Sequence, residues 1–163
     1  MIESKFLTSY RDVRGEVYPS WKSKNEQVQF VEDRFSRSTR GVVRGMHGDA
    51  KTWKLCTCVY GQLALIVWDV RESKKYNFTL DDDKKLQVLI PPFCLNGHQC
   101  ISEECVLHYK WSHPYSSPEE QWTVKYDDET ISPHWPLHPS LLSDRAKNGK
   151  SLHELLKELN DDA

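Results

Sequence analysis

Short runs of β-branched and aromatic residues, each closed by turn residues, follow one another along most of the chain. The run "KLCTCVYGQLALIVWDV" predicts two strands that meet in a hairpin at Gly61. The run "NFTLDDDKKLQVLIPP" predicts two more strands around an acidic turn, and "ECVLHYKWSHPY" and "QWTVKYDDETISPHWP" predict one strand each. Strands at this regular spacing are typical of an all-β sandwich or barrel.

Helical periodicity is convincing only near the end of the chain. In "SLHELLKEL", four leucines recur at the spacing of one helix face, and Ser151 precedes them as a candidate N-cap. We therefore expect a short C-terminal helix whose leucine face packs on the protein.

Composition narrows the classes of function. At 163 residues the chain fits one domain, which we expect to span 1–163. The formal net charge of −2 gives no basic face for nucleic acid. The N-terminus is polar and no apolar run reaches membrane length, so we expect a cytoplasmic protein without a membrane segment. The five cysteines are predicted to be reduced thiols in the core.

The stretch "VVRGMHGDAKTWKL" carries Arg44, His47 and Lys54 within a strand-like region. An imidazole titrates near neutrality and can serve as a general base, while a lysine can stabilise a nearby oxyanion. Taken one at a time, His47 is more typical of a solvated histidine at a strand end, and Lys54 is more typical of a solvated charge at a sheet edge.

Seven motifs in order give these residues a context: "DVRGEVYPSW", "DRFSRSTRGVVRGMHGD", "KLCTCVYGQLALIVWDVRE", "VLIPPF", "YKWSHPYSSPEEQ", "DDETISPHWP" and "LLSDRAKNGKSLHEL". Together they resemble the dTDP-4-dehydrorhamnose 3,5-epimerase family of nucleotide-sugar epimerases. "RGMHGDAKTWKLCTCVYG" and "NGHQCISEE" resemble more closely a branch that acts on GDP-linked 4-keto-6-deoxy-heptoses for bacterial capsules. The resemblance implies a double-stranded β-helix (cupin-type jelly roll), usually a homodimer that exchanges N-terminal strands.

The implied activity is epimerisation at C3, at C5 or at both carbons of a nucleotide-linked 4-keto-6-deoxy sugar, without a cofactor. The resemblance makes His47 the base and Asp128 the carboxylate that orients it, with Asp127 as the neighbouring alternative. It assigns Lys54 to the enolate oxygen and Tyr115 to reprotonation from the opposite face. Matching Tyr115 to the family needs a gap of one residue, so His113 remains a competitor.

The resemblance also implies a set of substrate contacts: Arg14, Arg34, Arg44, Asn96, His98 and Glu120. Guanidinium groups match phosphate oxygens in bidentate fashion, and the family arginine that aligns with Arg14 reaches the neighbouring subunit's ligand. The chain departs from the family at several places. Asn96 stands where most members have histidine, His98 follows two residues later, and Gly48 and Asp49 replace an aromatic–glutamine pair after the base. For Arg34 a solvated edge is an equal alternative, and for Glu120 a plain turn.

Two other functions remain open. The departures from the family pattern would also suit a non-catalytic cupin that binds a sugar nucleotide. A metal-dependent cupin oxygenase would share the fold, but its ligands typically include His-x-His followed by a carboxylate. Because His47 has no histidine two residues away, we predict no metal site.

Overall fold

A computed structural model describes residues 1–22 and 28–161 of the chain. Twelve strands make up most of the regular secondary structure in this part of the chain: β1 Glu3–Phe6, β2 Tyr10–Asp12, β3 Gly15–Val17, β4 Glu32–Thr39, β5 Val43–Gly48, β6 Lys54–Tyr60, β7 Gln62–Asp69, β8 Lys74–Asp81, β9 Leu86–Ile90, β10 Cys94–Cys100, β11 Glu104–Trp111 and β12 Trp122–Thr123. Two helices follow, α1 Asp144–Lys147 and α2 Leu152–Asp161, and a 3-10 helix spans Pro118–Glu120.

Ten of the strands form two five-stranded antiparallel sheets that face each other. The first sheet has the order β1-β9-β6-β11-β4, and the second has the order β12-β5-β10-β7-β8. Strands that follow one another in sequence, such as β6 and β7 or β10 and β11, lie in different sheets. This crossing from sheet to sheet gives a jelly roll and confirms the predicted double-stranded β-helix.

The hairpin predicted at Gly61 is wrong, although both of its strands are present. β6 pairs with β9 and β11, whereas β7 pairs with β8 and β10. Gly61 instead forms the corner between the sheets with a φ of +71°, and a Cβ there would lie 2.1 Å from the carbonyl oxygen of Glu104. A glycine satisfies both a hairpin and a tight corner, so the local sequence does not separate them.

Two apolar cores stabilise the fold. The core between the sheets contains Leu63, Leu80 and Leu107 and all five cysteines, which are buried free thiols as predicted. Burial raises the pKa of Cys56, Cys58 and Cys94 to about 12, so these thiols stay protonated.

The second core lies behind the second sheet and is closed by the C-terminal segment. Leu152 and Leu155 of α2 pack there with Met46 and Leu95, which confirms the predicted leucine face. Ser151 caps α2, because its Oγ accepts the N–H of Glu154 while a Glu154 oxygen accepts the Ser151 N–H. None of the described helices has the length and apolarity needed to cross a membrane.

Of the two predictions about the ends of the chain, one is corrected by the structure and the other is not tested by it. The strand expected in "QWTVKYDDETISPHWP" shrinks to the two residues of β12. At the N-terminus, β1 pairs with β9 of the same chain, and β2 and β3 form an exposed hairpin. Exchange of N-terminal strands between subunits stays a prediction.

Candidate active site

A cavity of about 240 Å³ opens between the two sheets. It is lined by Arg34, Arg44, His47, Lys54, Cys56, Asn96, His98, Tyr109, Trp111, Tyr115, Gln121 and Arg145. Strands β4, β6 and β11 supply residues from the first sheet, and β5 and β10 supply residues from the second. The site is therefore built by the side chains that face inward at one end of the jelly roll.

A bulge in β5 brings Arg44 and His47 to the same cavity. Side chains three residues apart on a regular strand point to opposite faces. Here His98 pairs with Arg44 and Asn96 pairs with His47, so three steps along β5 match two steps along β10. The extra residue lets the side chains of Arg44 and His47 both face the cavity.

The short connection from His47 to Lys54 depends on Gly48 and Asp49. A Cβ on Gly48 would lie 2.3 Å from the carbonyl oxygen of Cys94, so the backbone of β5 approaches β10 too closely for a side chain. Asp49 Oδ1 accepts the N–H groups of Lys51 and Thr52 and closes the turn into β6. The pair Gly48–Asp49 therefore suits a close approach of two strands followed directly by a tight turn.

His47 is held by a threonine. Its Nδ1 lies 3.1 Å from Thr123 Oγ1, and the two residues are register partners between β5 and β12. Burial, together with smaller effects of the nearby charges of Arg145 and Lys54, lowers the pKa of His47 to about 3. The imidazole is thus neutral at pH 7 and able to accept a proton.

Asp128 does not take the orienting role expected from the sequence. Its Oδ1 accepts the backbone N–H groups of Thr130 and Ile131, and its Oδ2 accepts that of Leu152 at 2.9 Å. The buried carboxylate therefore ties its own turn to the start of α2. The alternative, Asp127, is exposed.

Lys54 lies at the start of β6 with only 5% of its surface exposed. Its Nζ donates to Asn96 Oδ1 at 3.1 Å and lies 4.8 Å from the centre of the Trp111 ring. Burial is the main reason that its pKa is lowered from the ordinary value. A buried ammonium of this kind is well suited to an oxygen that becomes negative during a reaction.

Tyr115 reaches the cavity from the loop after β11. The guanidinium of Arg34 lies 4.3 Å from the Tyr115 ring centre and 4.9 Å from that of Trp111. The Tyr115 N–H donates to Glu32 Oε2 at 2.8 Å, which fixes the loop to β4. The competitor His113 is exposed, does not line the cavity and contacts Ser112 Oγ.

The remaining predicted contacts divide into two groups. Arg44, Asn96 and His98 line the cavity, and Arg44 Nε donates to Ser38 Oγ at 3.0 Å. Burial, with a smaller effect of Arg44, lowers the pKa of His98 to about 3.

Arg14 and Glu120 lie outside the cavity lining of this chain. Arg14 is exposed on the β2–β3 hairpin and pairs with Asp12. Glu120 is exposed and pairs with Lys51 at 3.2 Å. The contacts of Glu120 with the ligand and of Arg14 with a neighbouring subunit's ligand both stay predictions.

The sequence analysis missed several polar residues at the site, among them Arg145, Gln121, Thr123 and Tyr109. Arg145 of α1 lines the cavity, and its Nη2 donates to the carbonyl oxygens of Pro118 and Gln121. Gln121 also lines the cavity, and Thr123 contacts His47. In the sequence, Ser143 could have indicated the start of the helix that carries Arg145, because serine is a preferred N-cap residue.

The cavity combines guanidinium groups, one buried ammonium, neutral imidazoles and aromatic rings. Such a set can bind an anionic, oxygen-rich ligand and move protons to or from it. Within residues 1–22 and 28–161, no cluster of three or more His, Cys, Asp or Glu side chains is arranged to hold a metal ion.

The comparison with known proteins decides the family. A family model described as dTDP-4-dehydrorhamnose 3,5-epimerase matches residues 3–154. The chain belongs to this family. It is therefore an epimerase, and the predicted isomerase class is confirmed.

Individual members of the family support this assignment over most of their length. The dTDP-4-dehydrorhamnose 3,5-epimerase of Shigella flexneri is 32% identical over 155 residues, which cover 86% of this chain and 85% of that protein. The dTDP-4-dehydrorhamnose 3-epimerase of Streptomyces niveus is 32% identical over 138 residues, covering 78% of this chain and 65% of that protein.

A solved structure from the family superposes closely on the jelly roll. The dTDP-6-deoxy-D-glucose-3,5-epimerase of Legionella pneumophila Philadelphia 1, in complex with dTDP-4-keto-L-rhamnose, gives a TM-score of 0.89 at 27% identity. The match covers 97% of this chain and 91% of that one. The names of these relatives refer to dTDP-linked sugars, whereas the sequence motifs favoured a GDP-linked substrate.

Proposed function

We propose that this chain epimerises a nucleotide-linked 4-keto-6-deoxy sugar at C3, at C5 or at both carbons, as one cupin-type domain spanning 1–163. The observation that carries the proposal is one cavity that holds a neutral imidazole, a buried ammonium and a phenol. Three arginines on the same cavity supply the charge that a diphosphate needs.

The first step is removal of a proton from carbon. The ketone at C4 acidifies the C–H bonds at C3 and C5, because the electron pair left behind spreads onto the C4 oxygen. His47 accepts the proton and becomes an imidazolium ion. A bound diphosphate would offset the positive field of Arg145 and so raise the pKa of His47 toward a useful value.

The second step is stabilisation of the enolate. Lys54 would donate to the C4 oxygen as it gains negative charge, and Asn96 holds the ammonium in position. A desolvated cation interacts more strongly with an oxygen that gains negative charge than with a neutral ketone. The interaction therefore stabilises the intermediate more than the substrate.

The third step returns a proton to the opposite face of the same carbon. Tyr115 would donate its phenolic proton, which inverts the centre. The imidazolium of His47 then loses its proton to solvent, and the Tyr115 phenolate takes one up from solvent, so both groups return to their starting states. The electron pair flows back from oxygen to carbon, so no redox partner is required.

The nucleotide part of the ligand would bind through Arg34, Arg44 and Arg145. We also propose that the chain works as a homodimer in the cytoplasm, with Arg14 contacting the ligand of the neighbouring subunit. The exposed β2–β3 hairpin that carries Arg14 supports this arrangement.

A GDP-linked heptose is proposed as the substrate within this class, with a dTDP-linked hexose as the competitor. The Asn96–His98 pair and the tight turn at Gly48 depart from the larger family and support the heptose. The dTDP names of the relatives support the hexose.

The test is to incubate the purified protein in deuterated water with dTDP-4-keto-6-deoxyglucose or with a GDP-4-keto-6-deoxy-heptose. Mass spectrometry and NMR should show deuterium at C3, C5 or both, with a higher kcat/KM for the heptose. Faster exchange on the hexose would overturn the heptose proposal. Absence of exchange on both sugars, with nucleotide binding intact, would indicate a non-catalytic cupin and overturn the epimerase proposal.

A further inference from the structure

We propose that Thr123 is the positioning residue of the catalytic imidazole, so that a neutral hydroxyl takes the place of the expected carboxylate. This inference rests on the proposed role of His47 as the base. It identifies the atom that orients the His47 imidazole and the ring nitrogen that carries the proton as a result.

The contact between Thr123 and His47 is built into the second sheet. Thr123 and His47 are register partners, and their Oγ1 and Nδ1 atoms lie 3.1 Å apart. On the next residue, the N–H of Val124 donates to the Met46 carbonyl at 3.0 Å, and the Met46 N–H donates back to Val124. Two backbone bonds therefore hold the threonine beside the ring.

The same segment is also anchored from its other side. The Lys150 N–H donates to the carbonyl oxygen of Thr123 at 3.2 Å, and the Lys125 N–H donates to that of Lys150. Val124, between these contacts, is fully buried. Thr123 thus lies on a rigid support, which a residue that orients a catalytic ring requires.

The carboxylate that would otherwise fill this role is engaged elsewhere. Both oxygens of Asp128 accept backbone N–H groups, and one of these belongs to Leu152 at the start of α2. Moving Asp128 to His47 would leave those buried N–H groups without a partner, which costs about 1–3 kcal/mol for each group.

A threonine hydroxyl can accept from an Nδ1–H or donate to an unprotonated Nδ1, and we assign the first arrangement because it leaves Nε2 free to take the proton of the sugar. With the Nδ1–H donating to Thr123 Oγ1, the lone pair of His47 is on Nε2. The proton from the sugar carbon then binds Nε2, and the electron pair of the broken C–H bond passes to the C4 oxygen. Lys54 of β6, Arg145 of α1 and His98 of β10 line the same cavity as the ring and lower the pKa of His47, and a neutral threonine adds no negative charge to balance them.

Three substitutions test the proposal by solvent deuterium exchange across pH. Thr123→Val should lower kcat about 10- to 100-fold with little change in KM, and Thr123→Ser should restore most of the loss. Thr123→Asp places a carboxylate beside Nδ1 and raises the pKa of His47. The acidic limb of its pH profile should therefore move to higher pH by at least about one unit.

A purely structural threonine would affect the folded fraction but leave the pH profile of the folded enzyme unchanged. The proposal is overturned if Thr123→Val exchanges at the wild-type rate, or if Thr123→Asp leaves the acidic limb in place. A shift of that limb in Asp128→Asn alone would return the orienting role to the carboxylate.

Imidazole ¹⁵N NMR of the free protein gives a readout that does not depend on turnover. The wild type should show the His47 ring protonated on Nδ1, and Thr123→Val should change the tautomer ratio. An unchanged ratio would contradict the inference. If the tautomer result holds while the wild type exchanges no deuterium, the epimerase proposal fails and the role of Thr123 in the ring geometry stands.

Discussion

The two ends of the space between the sheets each contain a buried lysine, and the two lysines have opposite surroundings. Lys54 begins β6 at the cavity end. Lys85 lies at the other end, in the turn before β9, where Asp82 also bonds to the Gly61 corner. Their exposed fractions, 5% and 1%, are nearly equal.

The partners of the two ammonium groups explain the difference. Lys85 pairs with Glu16 Oε1 at 2.7 Å and donates to the carbonyl oxygens of Asp82 and Asp83. Lys54 has one amide oxygen and an aromatic face. A buried charge with a full set of acceptors stabilises a fold, whereas one with few acceptors is available to a ligand. The charge of Lys85 is therefore satisfied within the fold, whereas the ammonium of Lys54 is available to an oxygen of a bound ligand.

Replacing each lysine by methionine should separate these roles. Lys54→Met should lower deuterium exchange about 10²- to 10³-fold, because the enolate loses its cation. Its free energy of unfolding should rise by about 1 kcal/mol, since a desolvated charge is removed.

Lys85→Met is the matched control for this change. It removes the ammonium that pairs with Glu16 and that donates to the carbonyl oxygens of Asp82 and Asp83, so the free energy of unfolding should fall while exchange per folded molecule is kept. Urea unfolding and exchange rates measure both variants. Equal losses of activity in the two would remove the distinction between the ends.

Two tyrosines extend the comparison. Tyr115→Phe should reduce epimer formation about 10²-fold, because the proton donor on the opposite face is lost. Deuterium should still enter from the His47 side with retention of configuration. Tyr60, exposed at the end of β6 that adjoins the Gly61 corner, supplies the control, and Tyr60→Phe should form product at the wild-type rate. Full epimerisation by Tyr115→Phe would show that another acid acts.

The smallest effect concerns stability in acid. His47 and His98 have pKa values of about 3 when folded, against about 6.5 when unfolded. The unfolded chain therefore binds more protons between these values, and the free energy of unfolding should fall as the pH drops from 6.5 toward 3.

His98→Phe should make that fall shallower by up to about 1.4 kcal/mol per pH unit. The exposed His113 provides the control, and His113→Phe should keep the wild-type slope. Identical slopes in all three proteins, measured by urea unfolding at several pH values, would contradict the buried neutral state of His98.

The sequence carries enough information for most of the strands, because each follows from a local run of β-branched and aromatic residues closed by turn residues. It does not fix which strands pair. Gly61 suits a hairpin and a corner equally, and only the packing of distant strands decides between them.

The residues of the candidate site also divide into those that local sequence identifies and those that only the packing of distant segments reveals. His47, Lys54 and Asn96 come from motifs with fixed spacing, so they could be identified as candidates. Arg145 reaches the cavity from a short helix about a hundred residues further along the chain, and nothing local indicates its direction. Asp128 matches the family motif, yet its oxygens are engaged by backbone N–H groups that depend on the position of α2.

The central claim is that His47 removes a proton from a carbon next to the ketone. The most direct measurement is deuterium incorporation by His47→Asn in the presence of the ketosugar that the wild type exchanges, alongside calorimetric binding of the corresponding nucleoside diphosphate. We predict no deuterium at C3 or C5 above background, with a Kd within about threefold of the wild-type value, since the arginines are untouched. Exchange at the wild-type rate would contradict the account.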